Sequence, residues 1–278
     1  MNVSLTILVN CPDEKGLIYR ITQVLFNRQL NIVKNREFVD EDTNRFFMRT
    51  EVEGDVDEKI IQEELIQNLP VLSQVKVISN RRKKLVILAT KENHCLGDLL
   101  IRNHFKEWNA EISAVISNYD VLRDFTERFD LPYHFVSQNE LSRDAHEQQI
   151  SSLINQYQPD YIVLAKYMRI LTPEFVKQYD NRIINIHHSF LPAFIGAHPY
   201  RQAYHRGVKI IGATAHFVNN NLDEGPIICQ NVIPVDHSQN AVNMAKLGKE
   251  VEKMVLAEAL KLVLEDRVML SGNKTVVL

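Results

Sequence analysis

Ile183-Ile184-Asn185-Ile186-His187-His188-Ser189-Phe190-Leu191-Pro192 is the stretch to which the rest of the chain is fitted. A short apolar run enters three polar residues, and Pro192 stops regular pairing. This pattern predicts a buried strand that ends at a sheet edge. Side chains alternate along a strand, so Asn185 and His187 are expected on one face. An amide donor and an imidazole then share a strand's C-terminal end, where open parallel sheets bind ligands.

The segments before this strand predict its setting. Apolar strands at 85–89, 112–116, 133–136 and 161–165 alternate with helical patterns at 92–105, 121–129 and 143–157. Strands that alternate with helices imply a doubly wound, Rossmann-like open sheet that is mostly parallel. Pro173 suits the first turn of another helix. After the quoted stretch, a helix is expected at 197–206, strands at 210–218 and 227–235, a long amphipathic helix at 241–265, and a terminal hairpin at 267–278. The turn-rich Asn219-Asn220-Asn221-Leu222-Asp223-Glu224-Gly225-Pro226 joins two of these strands and brings Asp223 toward His187 if they neighbour the 183–188 strand.

The first eighty residues differ. Strand patterns at 3–9, 30–39, 45–53 and 71–78 enclose helical patterns at 17–27 and 55–68. The order βαββαβ predicts a ferredoxin-like unit. The expected organisation is a unit over 1–80, a basic linker Arg81-Arg82-Lys83-Lys84, and a second unit over 85–278.

Composition narrows the function class. The chain has 278 residues, net charge −3, 45% hydrophobic and 24% charged residues. That balance offers no bulk attraction to nucleic acid or to an anionic membrane. No apolar run is long enough to span a bilayer. Met1-Asn2-Val3-Ser4 has no secretory pattern, and Cys11, Cys95 and Cys229 form neither a metal-type pair nor a disulfide framework. The expected setting is reducing and cytoplasmic. Thr90-Lys91-Glu92-Asn93-His94-Cys95 is neither a dinucleotide fingerprint nor a P-loop, and the adjacent His94 and Cys95 read as structural.

Two resemblances sharpen the reading. The entry Cys11-Pro12-Asp13-Glu14-Lys15-Gly16-Leu17-Ile18, with its βαββαβ order, resembles an ACT domain. This implies an amino-acid effector near Asp13, Gly16 and Leu17, and pairing into a homo-oligomer. Asn185-Ile186-His187 with Ser189-Phe190-Leu191-Pro192, His216-Phe217-Val218 and Asp223-Glu224-Gly225-Pro226 resembles the formyltransferase family that uses 10-formyl-tetrahydrofolate. The likeness implies catalytic Asn185, His187 and Asp223. It also implies a folate-binding stretch Met168-Arg169-Ile170-Leu171, with His216 beside it, and no metal or separate cofactor.

An ACT-like unit ahead of such a domain is similar to the hydrolases of that group, the formyltetrahydrofolate deformylases. They release formate and tetrahydrofolate for one-carbon and purine metabolism. Two departures from the transferases favour water as acceptor. The loop 90–95 lacks their glycine-rich phosphate cradle, and His188 stands where they carry proline. Formyl transfer to an amine such as glycinamide ribonucleotide is the alternative. A metal amidohydrolase built on His187, His188, His216 and Asp223 lacks regular ligand spacing, since adjacent His187 and His188 are expected on opposite faces. A non-enzymatic amino-acid sensor is the third reading. His188 and His216 are open between supporting and direct roles.

Overall fold

The computed structural model describes residues 3–139, 141–193 and 199–278. Its elements run β1 (Val3–Pro12), α1 (Leu17–Asn27), β2 (Asn31–Asp40), β3 (Arg45–Gly54), α2 (Glu58–Asn68), β4 (Gln74–Ser79), β5 (Lys83–Ala89), α3 (His94–His104), β6 (Ala110–Ser117), α4 (Arg123–Glu127), β7 (Tyr133–Phe135), α5 (Arg143–Tyr157), β8 (Tyr161–Ala165), α6 (Pro173–Gln178), β9 (Ile183–His187), α7 (Pro199–Arg206), β10 (Ile210–Phe217), β11 (Ile227–Pro234), α8 (Ala241–Leu264), β12 (Val268–Ser271) and β13 (Lys274–Val277). Positions 197 and 198 of the expected 197–206 helix lie outside the described residues.

Two compact units emerge. One holds Met1–Arg81 with Asp266–Met269 and Val276–Leu278; the other holds Arg82–Glu265 with Leu270–Thr275. In the first, β1 is central in an antiparallel sheet of order β2-β3-β1-β4. Helix α1 starts beyond Gly16, whose φ of 88° suits a residue without Cβ. Its Leu17, Ile21, Val24 and Leu25 fall on one face and are buried. Helix α2 is capped by Asp57, which accepts from the backbone N–H groups of Lys59 and Ile60. Met269 and Leu278, from the C-terminal segment, cluster with Leu8 and Phe47 in this unit. The first strand of the other unit begins at Lys83, so Lys83 and Lys84 are strand residues rather than linker.

The second unit is a seven-stranded sheet of order β11-β10-β9-β8-β5-β6-β7. Strands β5 to β9 run parallel to one another, and β10 runs antiparallel to both β9 and β11. The chain steps from β5 outward to β7, then returns to the other side of β5 as β8. The carboxyl ends flanking that reversal are where a ligand crevice forms. Caps start the surrounding helices where turn residues permit: Ser142 for α5, Thr172 with Pro173 for α6, and Asn240 for α8. Among the described residues, no helix is long and apolar enough to cross a membrane.

Candidate active site

A cavity of about 320 Å³ lies at the carboxyl ends of β8 and β9. It is lined by Asn185, His187 and His188 from β9 and its end, by residues 166–171 after β8, by His216 on β10, and by the 218–223 loop. The β9–β10 register sets Asn185 opposite His216 and His187 opposite Thr214. Direct pairing of these strands is what carries Asp223, at the end of the following loop, to His187.

The polar groups form one chain of contacts. His216 Nδ1 is 2.9 Å from the Phe217 carbonyl, which can only accept, so Nδ1 carries the proton. Nε2 then accepts from Asn185 Nδ2 at 3.2 Å. Burial lowers the His216 pKa, in keeping with a neutral ring. His187 Nδ1 lies 3.2 Å from Asp223 Oδ1, and His216 Nε2 lies 3.9 Å from the same oxygen. Burial raises the Asp223 pKa, but the His187 hydrogen bond and the imidazoles of His187, His216 and His188 outweigh it, so the carboxyl sits below its ordinary value. His187 Nε2 is buried with no partner among the described residues. An orphaned buried imidazole nitrogen costs free energy unless a ligand satisfies it.

Backbone geometry holds Asp223 in place. Its φ is 57°, in the left-handed region. A Cβ on Gly225 would stand 1.7 Å from the Phe217 carbonyl oxygen. The Phe217 N–H meanwhile donates to the Pro226 carbonyl at 2.9 Å. The Asp-x-Gly-Pro sequence is therefore a tight backbone crossing that aims a carboxylate.

The 168–171 stretch lines the cavity mouth. Met168 and Ile170 are 61% and 58% exposed, whereas Leu171 is buried. Arg169 Nη1 donates to Gln138 Oε1 at 3.1 Å, and Arg143 donates to the Ile170 carbonyl. Two exposed apolar side chains beside a fixed guanidinium suit a flat heteroaromatic ring.

Some details depart from expectation. The His187 and Asp223 side chains are only 7% and 9% exposed. His187 and His188 do not face opposite ways: β9 stops at His187, the chain turns, and the rings are 5.1 Å apart. Glu92 is engaged by Lys249 at 2.6 Å. In the first unit, Gly16 is the exposed start of α1, Leu17 turns its side chain into the core, and the Asp13 N–H donates to the Asn44 carbonyl.

A buried cluster beside the cavity was not singled out in the sequence. Glu252 on α8 accepts from Tyr200 OH at 2.6 Å, bonds His94 Nε2 at 2.8 Å, and lies 3.2 Å from Lys166 Nζ. Its signal was legible: Glu252 interrupts the buried α8 stripe Gly248, Val251, Val255. His94, Cys95 and Glu252 have ligand atoms within 4.8 Å of one another. Lys166 already supplies the positive charge there, which opposes a metal cation.

Burial raises the Glu252 pKa, but His94, Lys166 and Tyr200 prevail and bring it down to about 2. A depressed carboxyl stabilises the fold above its unfolded value, and that contribution is lost as pH falls from about 4.5 toward 2. Glu252→Leu leaves Lys166 buried without its partner and is expected to cost about 3–5 kcal/mol, read from urea unfolding at neutral pH.

Comparison with known proteins follows this geometry. The family model for the ACT domain matches residues 5–69, and the one for formyl transferase matches residues 83–260. A formyltetrahydrofolate deformylase of Haemophilus influenzae is 57% identical over 272 residues, covering 98% of each chain. The chain belongs to the formyltetrahydrofolate deformylase family. A crystal structure of a formyltetrahydrofolate deformylase from Pseudomonas syringae pv. tomato superposes with TM-score 0.95 at 39% identity, over 99% of this chain and 94% of that one. Glycinamide ribonucleotide transformylase 1 from Symbiobacterium toebii aligns with TM-score 0.68 at 28% identity, over 71% of this chain and 94% of that one. The deformylase likeness thus spans both units.

Proposed function

We propose that this chain hydrolyses 10-formyl-tetrahydrofolate to formate and tetrahydrofolate. Full-length identity to deformylases supports it. The observation in the site that favours it is the Asn185–His216 and His187–Asp223 pairs lining one cavity, with His187 Nε2 without a partner among the described residues. Asn185 Nδ2 and His187 supply donors where the formyl oxygen gains charge; one such donor is typically worth about 3 kcal/mol of barrier. Asp223 orients His187 through Nδ1, 3.2 Å from its Oδ1. His187 can then pass a proton to the departing folate nitrogen. Residues 168–171 hold the pterin, and no separate cofactor takes part.

The unit built on Met1–Arg81 serves as the regulatory one, and the unit built on Arg82–Glu265 as the catalytic one. The free N–H groups where α1 begins at Gly16 suit the carboxylate of an amino-acid effector, with Asp13 facing its ammonium. The protein acts in the cytoplasm as a homo-oligomer. Calorimetric titration with the twenty amino acids should show binding by one or a few, and its loss on Gly16→Val.

The transferase reading is tested by partition. Incubation with 10-formyl-tetrahydrofolate alone is expected to release formate. Glycinamide ribonucleotide should neither raise the turnover nor become formylated. The loop 90–95 offers no glycine for backbone approach to a phosphate. Predominant formylated amine would identify a transferase.

A further inference from the structure

Two charged clusters flank one side chain that the mechanism above does not use. His188 lies just past β9 and lines the cavity. Its ring is 5.1 Å from the His187 ring on one side and 6.2 Å from the Tyr200 ring on the other. Tyr200 is tied to Glu252, and Glu252 to Lys166, which lines the same cavity. Lys166 has φ of 63°, and its carbonyl accepts from Thr90 Oγ1 at 2.8 Å. The ammonium is thus anchored through both backbone and side chain.

We propose that His188 is a further catalytic residue of the deformylation: it accepts a hydrogen bond from the attacking water, and the Lys166–Glu252 pair is its positioning device. The inference rests on the deformylase reading and deepens it. The groups facing His188 come from every neighbouring element: Lys166 after β8, Glu252 on α8, Tyr200 on α7, His187 on β9 and Asp223 in the β10–β11 loop. Burial, then Lys166 and His187, push the His188 pKa down to about 4, against the opposing charges of Glu252 and Asp223. The imidazole is neutral at pH 7 and has a ring nitrogen with a free lone pair.

The step balances as follows. The water oxygen bonds to the formyl carbon, and the carbonyl pair moves onto the oxygen facing Asn185 and His187. One water proton passes to His188 as that bond forms. Collapse breaks the carbon–nitrogen bond, and the folate nitrogen keeps the pair. That nitrogen takes a proton from His187, which is re-protonated by the proton held on His188. The second water proton leaves as formic acid ionises. Two imidazoles side by side, 5.1 Å apart, divide acid and base work between them.

The test measures formate release across about pH 5–9 and follows the histidine rings by NMR in isotope-labelled full-length protein. His188→Phe is expected to lower kcat by about a hundredfold while KM changes little, and His188→Gln to recover part of the loss through its amide acceptor. Lys166→Met removes the cation that disfavours His188 protonation, so both the His188 titration and the acid limb of kcat should move to higher pH. Wild-type kcat in His188→Phe overturns the inference and leaves the deformylase reading standing. If that variant does not fold, a wild-type His188 ring that is protonated at pH 7 overturns it instead. A wild-type protein that releases no formate overturns the deformylase reading, and this role with it.

Discussion

Asp223→Asn should slow formate release by about a hundredfold or more, and His187→Ala should do the same, the usual scale for removing an acid–base group. The Asn side chain keeps the size of Asp223 and can still meet His187 Nδ1, 3.2 Å away. It removes the carboxylate charge beside His187 and offers an amide of ambiguous orientation. Asp223 has a depressed pKa, so its stabilising pairing is present above the unfolded carboxyl value and lost only as pH falls below it. Near neutrality that contribution is present in the wild type, so Asp223→Asn should lower the unfolding midpoint as well as the rate of formate release. Combining the two substitutions should cost little more than either alone, because they act as one unit. Near-full activity in either folded variant would remove the pair from the mechanism.

Gly225→Ala should be the most damaging small substitution in the second unit. The added methyl would be placed 1.7 Å from the Phe217 carbonyl oxygen and 3.3 Å from His216 Nδ1. Backbone cannot yield like a flexible side chain, so the loop must move away from β10. That motion breaks the Phe217 to Pro226 hydrogen bond and withdraws Asp223 from His187. We expect a stability loss of about 3 kcal/mol or more, in the range of severe steric defects. Activity should fall at least as far as in Asp223→Asn. Thermal unfolding and formate release separate the two effects: a stable but inactive variant would show that only the loop moved. Gly207→Ala, a control in open space but at φ of 63°, should lose only the smaller cost of a left-handed residue.

These expectations rest on features that differ in how far the sequence exposes them. The alternation of apolar strands with helical segments is local. The central strands β5, β8 and β9 were visible because they are largely buried and mostly apolar, whereas the edge strands β7 and β11 are half-exposed. The βαββαβ unit was visible for a related reason: turn residues such as Asp40 to Asn44 separate well-patterned strands. The motifs Asn-x-His and Asp-x-Gly-Pro were legible as residue types, and a resemblance assigned their roles.

Sequence order alone does not say which strands are neighbours. The pairing of β9 with β10 was decided by the tertiary fold, and with it the approach of Asp223 to His187 across thirty-six positions of chain. Burial of that pair was likewise invisible, because polar residues at a strand end read as solvated. Lys166, Glu252, Tyr200 and His94 lie far apart in sequence and meet only because α7 and α8 pack back over the sheet. The C-terminal Met269 and Leu278 show the same limit: their apolar character was plain, yet only packing chose Leu8 and Phe47 as their partners. Local patterning is written in propensity and periodicity, which act over a few residues. The site is made of long-range contacts, whose partners are chosen by burial and by the pairing of strand edges.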